Sequence, residues 1–224
     1  MQVARQDWFR NTNWDAAVAE HFYRRLQRSR SSFHKGQYLK LQGHTLLESE
    51  DFAVRHEGRT LLLRFLQDYP NHCMVPEAHE MLGASYSRER QFEDADWHFR
   101  KCLAVMDNNR NFTTGACEVY LAEVTLCARW TDRYAEVFGL LRWLADSRHN
   151  PFFNNLCFRL YVARARLAST LNFHEEAAQF SELALQLSRV SKPQFPRHAS
   201  VGLVDADHDV IEEMRLLSGR KDRE

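Results

Sequence analysis

Apolar residues recur at helical spacing along almost the whole chain. From about Trp14 to Arg28, Val18, Phe22 and Leu26 fall at i, i+4 and i+8, and Thr12-x-x-Asp15 offers a capping box at the start. Gln37–Glu48 and Asp51–Gln67 predict a helical hairpin. Gly43 and Leu46 lie on its first helix, Ala53, Leu61, Leu62 and Phe65 on its second, and Asp68-Tyr69-Pro70 closes it. Pro76–Asn109 predicts another, with Leu82, Gly83 and Tyr86 followed by Phe92, Ala95 and Phe99. From Cys117 to Ala145, Leu121, Val124, Ala128, Tyr134, Val137, Leu141 and Leu144 recur around a break at Thr131-Asp132. From Phe158 to Leu187, Tyr161, Ala165, Ala168, Ala177, Ala184 and Leu185 repeat the scheme, with a turn near Asn172. Ser191–Val204 holds Pro193 and Pro196 and cannot be regular helix. Val210, Ile211, Met214 and Leu217 mark a short last helix. With about ten helices and no alternating strand pattern, the chain belongs to the all-α class.

The hairpin at Pro76–Asn109 resembles a tetratricopeptide repeat. That unit reads W-x2-L-G-x2-Y and then A-x3-F within about 34 residues. Here His79-x2-Leu82-Gly83-x2-Tyr86 precedes Ala95-x3-Phe99, so only the leading Trp is replaced. Gly83 and Ala95 are small where two helices cross closely, and Tyr86, Phe92 and Phe99 fill the wedge between hairpins. One such unit cannot bury its own apolar face, so about three or more are expected. Aligning Ala95, Val137 and Ala177 gives longer repeats, with the excess at Asn108–Asn111 and at His149–Pro151, and with the Gly83 and Tyr86 equivalents drifted. The expected organisation is one domain: an N-terminal capping helix in 1–34, degenerate repeats in 35–190, a linker in 191–204 and a last helix in 205–217. Asp7–Trp14 and Gln37–Lys40 are similar to the start of uncharacterised bacterial proteins of this kind.

Composition changes this picture little. The chain has 224 residues, 44% of them apolar, and 15 Phe, enough for one continuous core or at most two subdomains. No apolar run approaches the roughly 20 residues that span a bilayer, and the opening residues lack a signal-peptide core, so a cytoplasmic protein is expected. The five cysteines, Cys73, Cys102, Cys117, Cys127 and Cys157, include no C-x-x-C pair, and four sit in helical patterns; buried reduced thiols are expected. Lys plus Arg balance Asp plus Glu at 30 each. Between His21 and Leu47, however, Arg24, Arg25, Arg28, Arg30, Lys35 and Lys40 meet no acid. This run is read as a solvated helix face or as a meeting surface for an acidic protein; a pI near 7.2 argues against nucleic acid.

Catalytic motifs are missing. The eight glycines include no two close together, which excludes a P-loop and a dinucleotide fingerprint, and there is neither a G-x-S-x-G elbow nor H-E-x-x-H. His72, Cys73 and His79 match no common zinc spacing. Asp205-x-Asp207-x-Asp209 begins like a calcium loop, but Val210 and Leu216 stand where Gly and Glu are needed; these acids suit a helix N-terminus. No metal and no cofactor are expected.

The resemblance implies a right-handed superhelix whose first helices line a concave groove that holds a peptide or protein, and it implies no chemistry. By repeat position the groove residues are Lys40, His44, Glu77, Glu80, Ser87, Arg88, Arg129, Trp130, Arg159, Arg166 and Ser169. Members that bind chaperone tails hold a terminal carboxylate with Lys and Asn. Glu80 and Ala84 occupy two of those places here, which argues against that role. Each residue also reads as solvated repeat surface, and Trp130 as core. Three readings stay open. One is a protein-binding scaffold, in a sharper form an immunity or antitoxin-like protein blocking a co-encoded toxin. The others are a peptide- or ligand-sensing regulator and an enzyme on a helical scaffold. A homo-oligomer is compatible with each.

Overall fold

The computed structural model describes residues 7–106, 110, 113–146 and 151–219. It is all-helical: ten α-helices and no strand occur among the described residues. Two compact units divide the chain, Met1–Thr113 and Thr114–Glu224. The two loops expected at Asn108–Asn111 and His149–Pro151 lie largely outside the described residues.

The first unit holds α1 (Ala16–Arg28), α2 (Ser32–Leu47), α3 (Phe52–Asp68), α4 (Val75–Arg88) and α5 (Phe92–Met106). Asp15 is itself the cap of α1: its Oδ1 accepts the Val18 N–H at 2.8 Å, so the box expected from Thr12 is replaced by a one-sided cap at Asp15, Val18 having no polar side chain to bond back. The helix expected from Gln37 begins at Ser32, where Ser31 Oγ accepts from the His34 N–H. Asp51 caps α3 in the same way through the Ala53 N–H. Helices α2 and α3 cross at two glycines. A Cβ on Gly58 would stand 2.8 Å from the Gly43 carbonyl oxygen, so the backbones touch and no larger residue fits. In the next hairpin a Cβ on Gly83 would stand 2.7 Å from the Phe99 ring. Upstream, the strap Asp7–Trp14 lays Trp8, Phe9 and Trp14 on Phe22, Tyr23 and Tyr38. Buried Gln42 clamps it, accepting from the Asn11 backbone N–H at 2.9 Å and donating to the Asn11 carbonyl at 2.8 Å.

The second unit holds α6 (Cys117–Cys127), a 3₁₀ turn at Thr131–Arg133, α7 (Tyr134–Asp146), α8 (Asn154–Thr170), α9 (His174–Ser188) and α10 (His208–Leu217). Phe158, Val162, Ala165, Phe180, Ala184, Leu185 and Met214 form the core that seats α10 on α8 and α9.

Three hairpins share one turn. Arg90, Arg129 and Asn172 have φ of 58°, 56° and 64°, each just past a helix end. In each turn the next N–H reaches back to the carbonyl five residues earlier: Gln91 to Tyr86, Trp130 to Thr125 and Phe173 to Ala168, at 3.0, 3.1 and 2.8 Å. The left-handed residue bonds back three: Arg90 to Ser87, Arg129 to Leu126 and Asn172 to Ser169. This is the Schellman closure of a helix C-terminus. Register on these turns pairs Gly83 with Ala122 and Ala165, all buried, so the small position of the first helix is kept rather than drifted. It also replaces the Val137 alignment. Tyr134 stands where Ala95 and Ala177 do, and its bulk hides the match in the sequence.

Candidate interaction surfaces

Most of the expected groove cations are held by carboxylates of their own unit. Lys40 is 3% exposed, and its Nζ lies 2.5 Å from Glu77 Oε1, so this ammonium is an internal tie between α2 and α4. His44, one turn on from Lys40, faces Glu48 at 3.5 Å; burial lowers its pKa, against the pull of Glu48. Glu80 is buried and engaged. Arg88 donates to Glu50 at 2.9 Å on the exposed side, and Ser87 lends its carbonyl to the turn. The larger charge system was not legible in the sequence: Arg59 donates to Glu89 at 2.6 Å and to Gln91 at 3.1 Å, beneath the Tyr86 ring, while Arg55 reaches Glu89 at 3.5 Å. It ties α3 to the α4–α5 turn.

In the second unit Arg129 is the left-handed turn residue, and Trp130, half-buried and not core, follows it with the Arg133 guanidinium 4.3 Å from its ring. Arg159 donates Nε to Glu123 at 2.8 Å and covers Tyr120. Arg166 makes a two-toothed pair with Glu213 of α10, at 3.0 Å through Nε and 2.6 Å through Nη2. That hydrogen bonding raises the Arg166 pKa, and the Arg159 pKa is also raised, Glu123 outweighing burial. Arg166 and Ser169 border a cleft of about 390 Å³ together with Cys127, Glu213 and Leu217. Buried Arg164, which the sequence did not single out, lies 3.6 Å from the Phe180 ring centre and 3.9 Å from Glu176, and burial lowers its pKa.

One buried polar pair has no counterpart in the expectations. His79 and His98 face each other Nδ1 to Nδ1 at 3.0 Å between α4 and α5. One Nδ1 must carry the hydrogen and the other accept it, and the lowered pKa values keep both rings neutral near pH 7. Burial pushes each pKa down to about 4, Lys101 adding to the effect on His79 and His79 to that on His98. His79 therefore does not join His72 and Cys73. His72 Nδ1 accepts the Met74 N–H at 3.1 Å, and its Nε2 lies 3.1 Å from the Phe33 carbonyl. No three His, Cys, Asp or Glu side chains converge as a metal site among the described residues. None of the five cysteines forms a disulfide; Cys102 and Cys117 are buried, whereas Cys73 and Cys127 are exposed and Cys157 is partly so, because the last three lie at helix ends or outer faces.

No described helix is long and apolar enough to cross a membrane. No protein-family model, no curated protein and no solved structure matches the chain.

Proposed function

We propose that the chain is a non-enzymatic protein-binding scaffold of tetratricopeptide-like hairpins, in which the first helices of the hairpins carry the binding face within each unit. The observation behind this reading is the repeated turn at Arg90, Arg129 and Asn172, with Gly83, Ala122 and Ala165 at the same distance before it. Stacked hairpins of one design build extended faces for partners. The pairs Lys40–Glu77, Arg159–Glu123 and Arg166–Glu213 make the first helices stiff, which lowers the ordering cost of association. In its sharper form the partner is a co-encoded toxin whose active site the scaffold covers, as an immunity protein would. The test places a photo-crosslinking residue at Ser87 or Ser169 on first helices, and at Leu63 on the outer side of α3, in cells that carry the neighbouring genes. One and the same partner crosslinked from Ser87 or Ser169 is expected. The same partner captured from Leu63 alone would discard the first-helix face.

The cleft beside Arg166 favours a second reading, a sensor of a small anionic ligand. An anion would compete with Glu213 for the Arg166 fork. Such a ligand raises the Tm by mass action, and Ser169→Trp, which fills the cleft, removes the rise.

A further inference from the structure

Phe152, Phe153 and Phe195 form a cluster with ring centres 5.6, 6.2 and 6.4 Å apart. Rings that close normally mark a core, yet Phe152 is 68% exposed and the other two 38%. The cluster is held in place rather than frayed. Gln194 Oε1 accepts the Asn154 N–H at 2.8 Å, its Nε2 donates to the Phe152 carbonyl at 3.1 Å, and its backbone N–H donates to Val201 at 2.9 Å. Gly202 makes room for this clasp: its φ is 78°, and a Cβ there would stand 2.0 Å from Gln194 Oε1. One side chain thus fastens the 191–204 segment to the start of α8 and sets Phe195 beside Phe152 and Phe153.

The two segments that carry the rings hold no acid. No acid occurs from Leu183 to Val204 or from Ser147 to His174. Lys192 and Arg197 are exposed and have no ion-pair partner among the described residues, unlike the cations of the first helices. The run Phe195–Ser200 is exposed throughout.

We propose that this tip docks on an anionic lipid surface, the three rings entering the headgroup boundary while Lys192 and Arg197 meet the phosphates. The lipid is favoured by charge: the segments that carry the rings hold no acid, and Lys192 and Arg197 are left for phosphates. A lipid surface closes around inserted rings by itself, and two or more anchoring signals make such attachment stable. Attachment of this kind is peripheral and needs no spanning helix.

The test is flotation of the intact chain with vesicles of phosphatidylcholine alone and of phosphatidylcholine mixed with phosphatidylglycerol. Binding to the mixed vesicles only is expected. Phe152→Ser with Phe195→Ser, and separately Lys192→Glu with Arg197→Glu, weaken it on the order of tenfold each, with the helical circular-dichroism signal unchanged. Phe152→Leu keeps it. Failure to bind mixed vesicles overturns the proposal, as does binding that the phenylalanine variants leave intact. Equal binding to neutral vesicles overturns the role of the cations. Soluble polyglutamate that displaces the chain from mixed vesicles through the same residues would assign the tip to an acidic protein and overturn the lipid.

Discussion

Two hairpins of the molecule use one backbone plan for different chemistry. In α4–α5 the positions before and after the Arg90 turn bring His79 to His98; in α8–α9 the same positions relative to Asn172 bring Tyr161 to Phe180, stacked at 6.1 Å and 18°. Both place two flat rings across a helix crossing, tilted by 44° for the histidines and near-parallel in the second pair. The polarity differs. The Tyr161–Phe180 stack holds no group that charges between about pH 4 and 7, since burial raises the Tyr161 pKa further, whereas protonating either histidine puts a charge into a buried site. The fold therefore places no demand for imidazole at this site, and the histidines of the first unit are a feature added to a packing position. A second contrast lies one turn further on along the first helix and one residue further on along the second. Gly83 with Phe99 in the first hairpin corresponds to Ala165 with Ser181 in the other, all four buried. The small residue of the first helix and the side chain of the second trade volume.

Acid should separate the hairpins most. Both histidine pKa values fall from 6.5 to about 4 on folding, so the unfolded chain binds protons first. Stability is full above about pH 6.5 and declines as pH falls toward about 4, by on the order of 3 kcal/mol for the first ring to charge. The double variant His79→Tyr with His98→Phe copies the α8–α9 stack. It is expected to lose that slope between pH 6.5 and 4 in urea unfolding monitored by circular dichroism. A slope of the same size in the variant would place the acid sensitivity elsewhere.

The volume trade gives the next effect. Gly83→Ala sets a methyl group 2.7 Å from the Phe99 ring and should cost about 1 to 3 kcal/mol, since a packed ring cannot yield. Combining it with Phe99→Ser recreates the Ala165–Ser181 pairing and should lose the clash, though the smaller side chain leaves a cavity of its own. A double-mutant cycle measured by urea unfolding reads the coupling. Additive costs would show that Gly83 and Phe99 do not constrain each other.

How much of this was readable beforehand depends on what each feature asks of the chain. Helices that bury a stripe, such as Phe22 with Leu26 or Leu61 with Phe65, announce themselves because periodicity is local. So did Gly83, Ala95 and Phe99, whose spacing is fixed within one hairpin. Register between hairpins does not follow from Val137, because the residue in the Ala95 position is the large Tyr134 and only the backbone turn reveals it. Of the three left-handed residues, Asn172 was visible as a turn, since Asn tolerates that conformation; Arg90 and Arg129 carry no such mark. Partners distant along the chain were hidden altogether. Glu213 lies 47 positions from Arg166, and Gln42 lies 31 from Asn11, so neither pairing leaves a local pattern. A groove position read from one helix carries no sign that Lys40 turns inward to Glu77.

The smallest effect tests the turns themselves. An L-residue in the left-handed region costs roughly 1 to 2 kcal/mol, less for Asn, whose short side chain bonds locally. Glycine carries no such penalty but loses more freedom on folding. Arg90→Gly and Arg129→Gly should each therefore raise stability by about 0.5 to 1 kcal/mol, while Asn172→Gly changes it by less. The comparison is internal, because the hydrogen bonds from Gln91, Trp130 and Phe173 are the same in kind and differ by at most a few tenths of an ångström. Equal gains at all three positions would mean that side-chain identity is indifferent there. A loss at Arg90 or Arg129 would mean that the arginine contributes a contact that offsets its strain, and for Arg90 the Phe92 ring, 5.3 Å from its guanidinium, is the first place to look.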